Sequence, residues 1–242
     1  MPNVQKLNNI DHAAVKIRQT TSAVDHTMFA PVFLSEMRAL QSNFPLLLFK
    51  DASANSLQPV ALFGFEQGEN LFIDQNQWTS QYIPMIVQRG PLMIGHEGES
   101  GAGVEPTRVV AIDMDHPSVN HDEGEPLFLE FGGNSDYLER LATMLEAIHV
   151  GYEAIPHFIN ALNLHGLISP VSFQITLNSG AQHTLEGFHT VDDEKLQVLS
   201  AEAVTDLQLQ DFLFPAFMMV ASLSQMKKMI GLKNAQAATQ TG

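Results

Sequence analysis

Cysteine is absent from the 242 residues. Disulfides, thiolate nucleophiles, iron–sulfur ligation and the cysteine class of zinc site are excluded with it. Positive charge is scarce: 12 Lys and Arg stand against 27 Asp and Glu, a formal net charge of −15. Nucleic acid and anionic membrane surfaces both reward clustered positive charge, so neither is an expected partner. Long apolar runs are missing too. The longest, Phe212 to Ala221, is about half of the roughly 20 residues a spanning helix needs. Met1 to Asp11 is polar and has no apolar signal-peptide core, which points to the cytoplasm. Tryptophan occurs once, at Trp78, and there is no internal repeat.

What is present is the composition of a folded chain: 45% of the residues are hydrophobic, enough for a substantial core. His12 to Arg18 alternates as a strand, and Pro31 to Ser42 carries Val32, Phe33, Met37 and Leu40 at helical spacing. Leu46 to Phe49 reads as a short buried strand. Val60 to Phe65 and Leu71 to Ile73 are apolar runs on either side of Glu66-Gln67-Gly68-Glu69-Asn70, the pattern of a β-hairpin. A short helix is expected from Ser80 to Arg89, with a start near Pro84 as the alternative because Pro is costly in a helix interior, and strands at Leu92–Ile94 and Thr107–Ile112. Asn134 or Ser135 can cap a helix that runs through Leu138, Leu141, Leu145, Ile148 and Tyr152. Gly151 and Pro156 predict a kink or break before a second piece to Leu164.

Val171 to Leu177 alternates cleanly, Asn178-Ser179-Gly180 is a turn signal, and Ala181 to Phe188 returns as the partner strand. A short helix follows at 192–199, and Ser200 caps another through Leu209. Phe212 to Ile230 is expected to be one helix, apolar all round in its first half and hence buried on several sides. Lys227, Lys228 and Gly231 are its stop signals. The expected fold class is α+β: antiparallel hairpins or sheet covered by a long central helix and a buried C-terminal helix. Residues 1–233 read as one domain, with a split near Asn134 as the alternative, and 234–242 as a polar disordered tail.

Candidate chemistry is sparse. Asp113, Asp115, His116 and His121 are the candidate metal ligands, in an acidic segment that extends to Glu125. Their spacing is poor for a metal, with no His-x-His and no His-Glu-x-x-His. Counted as a calcium loop from Asp113, Ser118 stands where Gly is needed and Gly124 where Glu is needed. The reading is no metal and no cofactor. Gly98-Glu99-Ser100-Gly101-Ala102 is one residue from a nucleophile elbow, but Gly101, Gly103 and Pro106 block the helix such an elbow requires. His149, His157 and His165 step about 80° apart on a helix and share no face. Met218, Met219, Met226 and Met229 read as core filler, with a Met-lined surface for self-association as the alternative. Glu69, Asp74, Trp78, Tyr82 and Arg89 combine aromatic and charged side chains as ligand- or partner-binding anchors do. The alternative is a Trp and Tyr that close a hairpin over the core.

Three segments carry a family resemblance. The first is Gly68-Glu69-Asn70-Leu71-Phe72-Ile73-Asp74 with Trp78, Tyr82, Pro84 and Arg89. The second is Glu123-Gly124-Glu125-Pro126-Leu127-Phe128, and the third runs from Val171 through Gly187-Phe188 to Val191-Asp192 and Leu196. Together they resemble the SapC family of bacterial proteins, named after surface-layer proteins and distinct from the membrane permease of the same name. The pattern departs at Gly90, where a basic or aromatic residue is expected. The resemblance implies a non-catalytic binding or accessory protein beside surface-layer, halogenase or oxygenase, or outer-membrane uptake systems. It also makes surface association the alternative to the cytoplasm. An enzyme with a carboxylate and histidine site in Asp113–Glu125 is the competing function. The expected partner is a protein or a small molecule, and a homodimer is left open.

Overall fold

The computed structural model describes residues 3–18, 26–51, 56–98 and 107–240. Its strands are β1 (Val4–Lys6), β2 (Lys16–Ile17), β3 (Phe29–Pro31), β4 (Leu46–Asp51), β5 (Ser56–Leu62), β6 (Ile73–Asp74), β7 (Gln77–Trp78), β8 (Leu92–Glu97), β9 (Thr107–Asp113), β10 (Val119–Asn120), β11 (Glu125–Pro126), β12 (Ile168–Thr176) and β13 (Gln182–Val191). Its helices are α1 (Met37–Leu40), α2 (Met85–Gln88), α3 (Asp136–Leu164), α4 (Asp193–Gln197), α5 (Ala201–Leu209), α6 (Leu213–Ser222) and α7 (Met226–Gln240). The fold is α+β, as expected. The chain forms two compact units, Met1–Ser22 with Met85–Val150 and Ala23–Pro84 with Gly151–Gly242. Helix α3 contributes its first half to one and its remainder to the other.

In the first unit β1, β9 and β8 form one antiparallel sheet, while β10 and β11 flank β2 in a second. Val15, Ile17, Leu92, Ile112, Leu127, Phe128, Leu138, Leu141 and Leu145 make the core. The last three recur on α3 at the helical period, which places one stripe of the helix inside. The Leu138 N–H donates to Ser135 Oγ at 3.1 Å, so Ser135 is the cap. The strand expected at His12–Arg18 shrinks to Lys16–Ile17, because His12–Val15 is a turn.

The second unit is built on a five-stranded antiparallel sheet in the order β12-β13-β4-β5-β3. The expected β12–β13 hairpin is present and pairs from Ile168–Val191 to Thr176–Gln182. Gly187, at φ +82°, sits at its bulge, where a residue in the left-handed region is needed. Phe33, Phe44, Phe63, Phe72 and Phe158 are fully buried. The hairpin expected between Val60–Phe65 and Leu71–Ile73 is corrected. Both edges of β5 are taken, by β4 and β3, and Ile73 pairs with Trp78 in the β6–β7 ribbon. What joins the two runs is the Leu71 N–H, donated to Phe63 O at 2.9 Å.

The central helix is also unlike its expectation, for α3 runs unbroken for 29 residues with Pro156 inside it. Gly151 marks a close contact, not a break. A Cβ there would stand 2.6–2.9 Å from Phe33 Cδ1, Cγ and Cβ.

The C-terminal helix divides into α6, a 3-10 turn at Leu223–Gln225, and α7. Where the composition predicts a tail from Asn234, α7 runs on to Gln240. Its stop signals are overridden by anchors. Lys228 lies 5.5 Å from the centre of the Phe72 ring, Lys233 pairs with Glu69, and the Asn178 N–H donates to Asn234 Oδ1 at 2.9 Å. Among the described residues no helix is long and apolar enough to cross a membrane.

Candidate functional site

The second unit places four of the five candidate anchors on and around the loop that follows β5. Gly64 begins that loop because a Cβ there would fall 2.5 Å from Glu69 O. The Glu69 side chain is spent locally: Oε2 accepts from the Phe65 N–H at 2.8 Å, and Oε1 pairs with Lys233. Asp74 is exposed at the tight β6–β7 turn, where Gln75 and Asn76 take φ +46° and +60°. The Trp78 ring meets Phe63 and Phe44 edge-on at 5.3 and 6.5 Å. The Tyr82 hydroxyl donates to Glu36 Oε2 at 3.0 Å. Burial, and after it the charge and hydrogen bond of Glu36, push the Tyr82 phenol well above the usual tyrosine range. Arg89 belongs to the first unit and donates from Nη1 to Leu92 O at 2.7 Å. The aromatic members thus rest on the core of the second unit, and Glu69 and Arg89 brace backbone.

A charged array surrounds Glu69 that sequence reasoning missed. His183 Nδ1 lies 3.0 Å from Glu66 Oε1, Glu66 Oε2 lies 3.9 Å from Lys233 Nζ, and Lys233 closes onto Glu69. Lys233 and Glu69 are 164 residues apart, and no local pattern signals such a pairing. His183 Nε2 is buried and has no hydrogen-bond partner among the described residues. It faces protein here, not solvent. The array therefore ties the loop, β13 and α7 together.

The acidic segment of the first unit uses its side chains on its own turns. Asp113 Oδ1 accepts from the Asp115 N–H at 3.1 Å, and Asn120 Oδ1 from the N–H groups of Asp122 and Glu123 at 2.8 and 3.1 Å. His116 Nδ1 lies 2.7 Å from Ser118 Oγ, and His121 is exposed. Gly124, at φ +122°, lets Ile17 O approach to 2.5 Å of where a Cβ would be. Among the described residues no three His, Asp or Glu side chains are grouped to hold a metal ion. Of the elbow-like run, Glu99 to Ala102 lies outside the described residues.

One exposed feature of the second unit is an apolar face on α6. Pro215, Ala216, Met219 and Ser222 form its buried side and pack with α1, α5, β4 and β13. The expectation of burial on several sides, hiding Phe212, Phe214 and Phe217 alike, is corrected. Phe212 is buried, but Phe214 and Phe217 are 48% and 44% exposed. They lie three residues apart with Ala221 four further on, so the three form one stripe. Leu209, at the end of α5, is 81% exposed. The reading of the methionines as core filler holds for Met219, Met226 and Met229, which are buried.

No curated protein and no solved structure matches the chain significantly. The family model described as SapC matches residues 7–229, which takes in all three resembling segments and both units. The chain therefore belongs to the SapC family.

Proposed function

We propose that this chain is a non-catalytic binding or accessory protein that docks a protein partner on the exposed face of α6. The observation that supports this is the mismatch between the sequence of α6 and its surroundings. Apart from Ser222, which is buried, every residue from Leu213 to Ser222 is apolar, and one side of the helix faces solvent. A helix apolar all round is ordinarily buried, and exposed apolar patches rimmed by polar residues mark interaction sites. Surface-layer, halogenase or oxygenase, and outer-membrane uptake systems are where we place the partnership, on the SapC resemblance. The test is a photo-crosslinking aromatic residue at position 217 in intact cells, with position 194 of α4 as control. A discrete adduct with one protein from 217, lost in Phe214→Ser and absent from 194, is the expected result. No adduct from 217, or the same adducts from both positions, overturns the reading.

A further inference from the structure

The occupant of the α6 face is narrowed by area and by charge. Phe214 and Phe217, each close to half exposed, turn about 200 Å² of ring surface to solvent together, given the 150–250 Å² such residues bury. Leu209 and Ala221 extend this to a strip of a few hundred Å². A stable dimer of two copies buries about 800 Å² on each partner, well beyond this strip. Charge argues the same way. From Leu196 through Met226 the chain holds the carboxylates Glu202, Asp206 and Asp211 and no Lys or Arg, with Lys195 before this stretch and Lys227 and Lys228 after it, within a chain of net charge −15. A second copy would bring like charge to the same strip. Outward-facing polar groups are also lacking on α6, because Ser222 Oγ is turned inward, donating to Met219 O and accepting from the Leu46 N–H.

A strip of this width, with apolar residues at i, i+3 and i+7, suits the apolar edge of one helix. We infer that the occupant is an amphipathic helical segment of a partner protein, apolar along one edge and flanked by Lys and Arg. This rests on the reading of α6 as a docking face. The apolar edge covers the phenylalanines, and the basic flanks meet the exposed Glu202 and Asp211, Asp206 being already paired with His165.

The test is fluorescence anisotropy of the full chain with two dye-labelled helical peptides. Both carry a leucine stripe; one has Lys on its flanks and the other has Glu. The Lys peptide should bind, the Glu peptide about tenfold or more weakly, and added salt should narrow the gap. A Phe214→Ser, Phe217→Ser variant with unchanged circular dichroism should lose about tenfold in affinity for the Lys peptide. Equal binding of both peptides, lost in that variant, overturns the charge inference and leaves the docking face standing. Binding of the Lys peptide that the variant does not weaken overturns the assignment to α6. A dimer in sedimentation that Phe217→Ser dissociates makes the occupant a second copy and overturns the inference. If neither peptide binds, crosslinking from position 217 separates the cases. A captured partner protein sinks only the helical basic segment, and no adduct sinks the docking face as well.

Discussion

Gly151 and Gly231 both stand inside helices, and replacing each with Ala should move stability in opposite directions. In an open helix Ala is favoured over Gly by about 0.8–1 kcal/mol. At Gly231 an added Cβ meets nothing within 4 Å, so Gly231→Ala keeps that gain. At Gly151 the Cβ would stand 2.6, 2.8 and 2.9 Å from Phe33 Cδ1, Cγ and Cβ. These are atoms at the root of the side chain, which cannot swing away. Phe33 is fully buried, and its ring meets Tyr152 edge-on at 4.8 Å. Overpacking costs about 1–3 kcal/mol, and three contacts inside 3 Å belong at the upper end. After the helix gain is subtracted, Gly151→Ala should lose about 2 kcal/mol. In a chain of this size about 1 kcal/mol moves the thermal midpoint roughly 2–4 °C. Calorimetry should therefore show a fall of about 4–8 °C for Gly151→Ala and a rise of about 2–4 °C for Gly231→Ala. A Phe33→Ala background should remove most of the Gly151→Ala penalty, because the two changes share one contact. A rise in midpoint for Gly151→Ala would refute the seating of α3 on Phe33.

Other consequences are equally open to measurement. Ser222→Ala leaves the buried Leu46 N–H without its acceptor, a loss of about 1–3 kcal/mol; urea unfolding should show it, with faster amide exchange at Leu46. Met219→Ala removes a fully buried side chain and should cost about 2–5 kcal/mol. Phe217→Ala, on the exposed side, should cost less than the roughly 3 kcal/mol of a core Phe, and matching losses in the two variants would put Phe217 in the core. Tyr82 binds its proton more tightly folded than unfolded, because burial and Glu36 disfavour the phenolate. Its contribution is complete below the unfolded value of about 10 and is lost as pH rises toward the higher folded value. Stability should therefore fall with rising alkalinity, and Tyr82→Phe should flatten that slope. An unchanged slope counts against the Tyr82–Glu36 contact.

Local pattern alone carries part of this structure. Val171 to Leu177 alternates, the Asn-Ser-Gly turn follows, and the hairpin forms as the pattern requires, since period and turn chemistry are properties of neighbouring residues. The cap at Ser135, the leucine stripe of α3 and the second cap at Ser200 are local in the same way. The three segments that resemble SapC proteins identify the family for the same reason, because they are read residue by residue.

Tertiary structure decided what depends on distant partners. The partners of β5 are β4 and β3, both distant in sequence from the Leu71–Ile73 run that follows it in the chain, and β4 offers a six-residue ladder. Gly151 reads as a helix breaker until Phe33 is seen against it. The stop signals of α7 yield to Lys228 on Phe72 and Lys233 on Glu69. The same distance hides the site. His183, Glu66 and Lys233 meet only in the fold, and of the five anchors chosen by composition Trp78 rests on core rings, Tyr82 on Glu36, Glu69 and Arg89 on backbone, and Asp74 is exposed. Whether Phe214 and Phe217 are buried could not be read from α6 itself. Its residues are apolar on every side, and only the packing of Pro215, Ala216, Met219 and Ser222 decides which side is left to solvent.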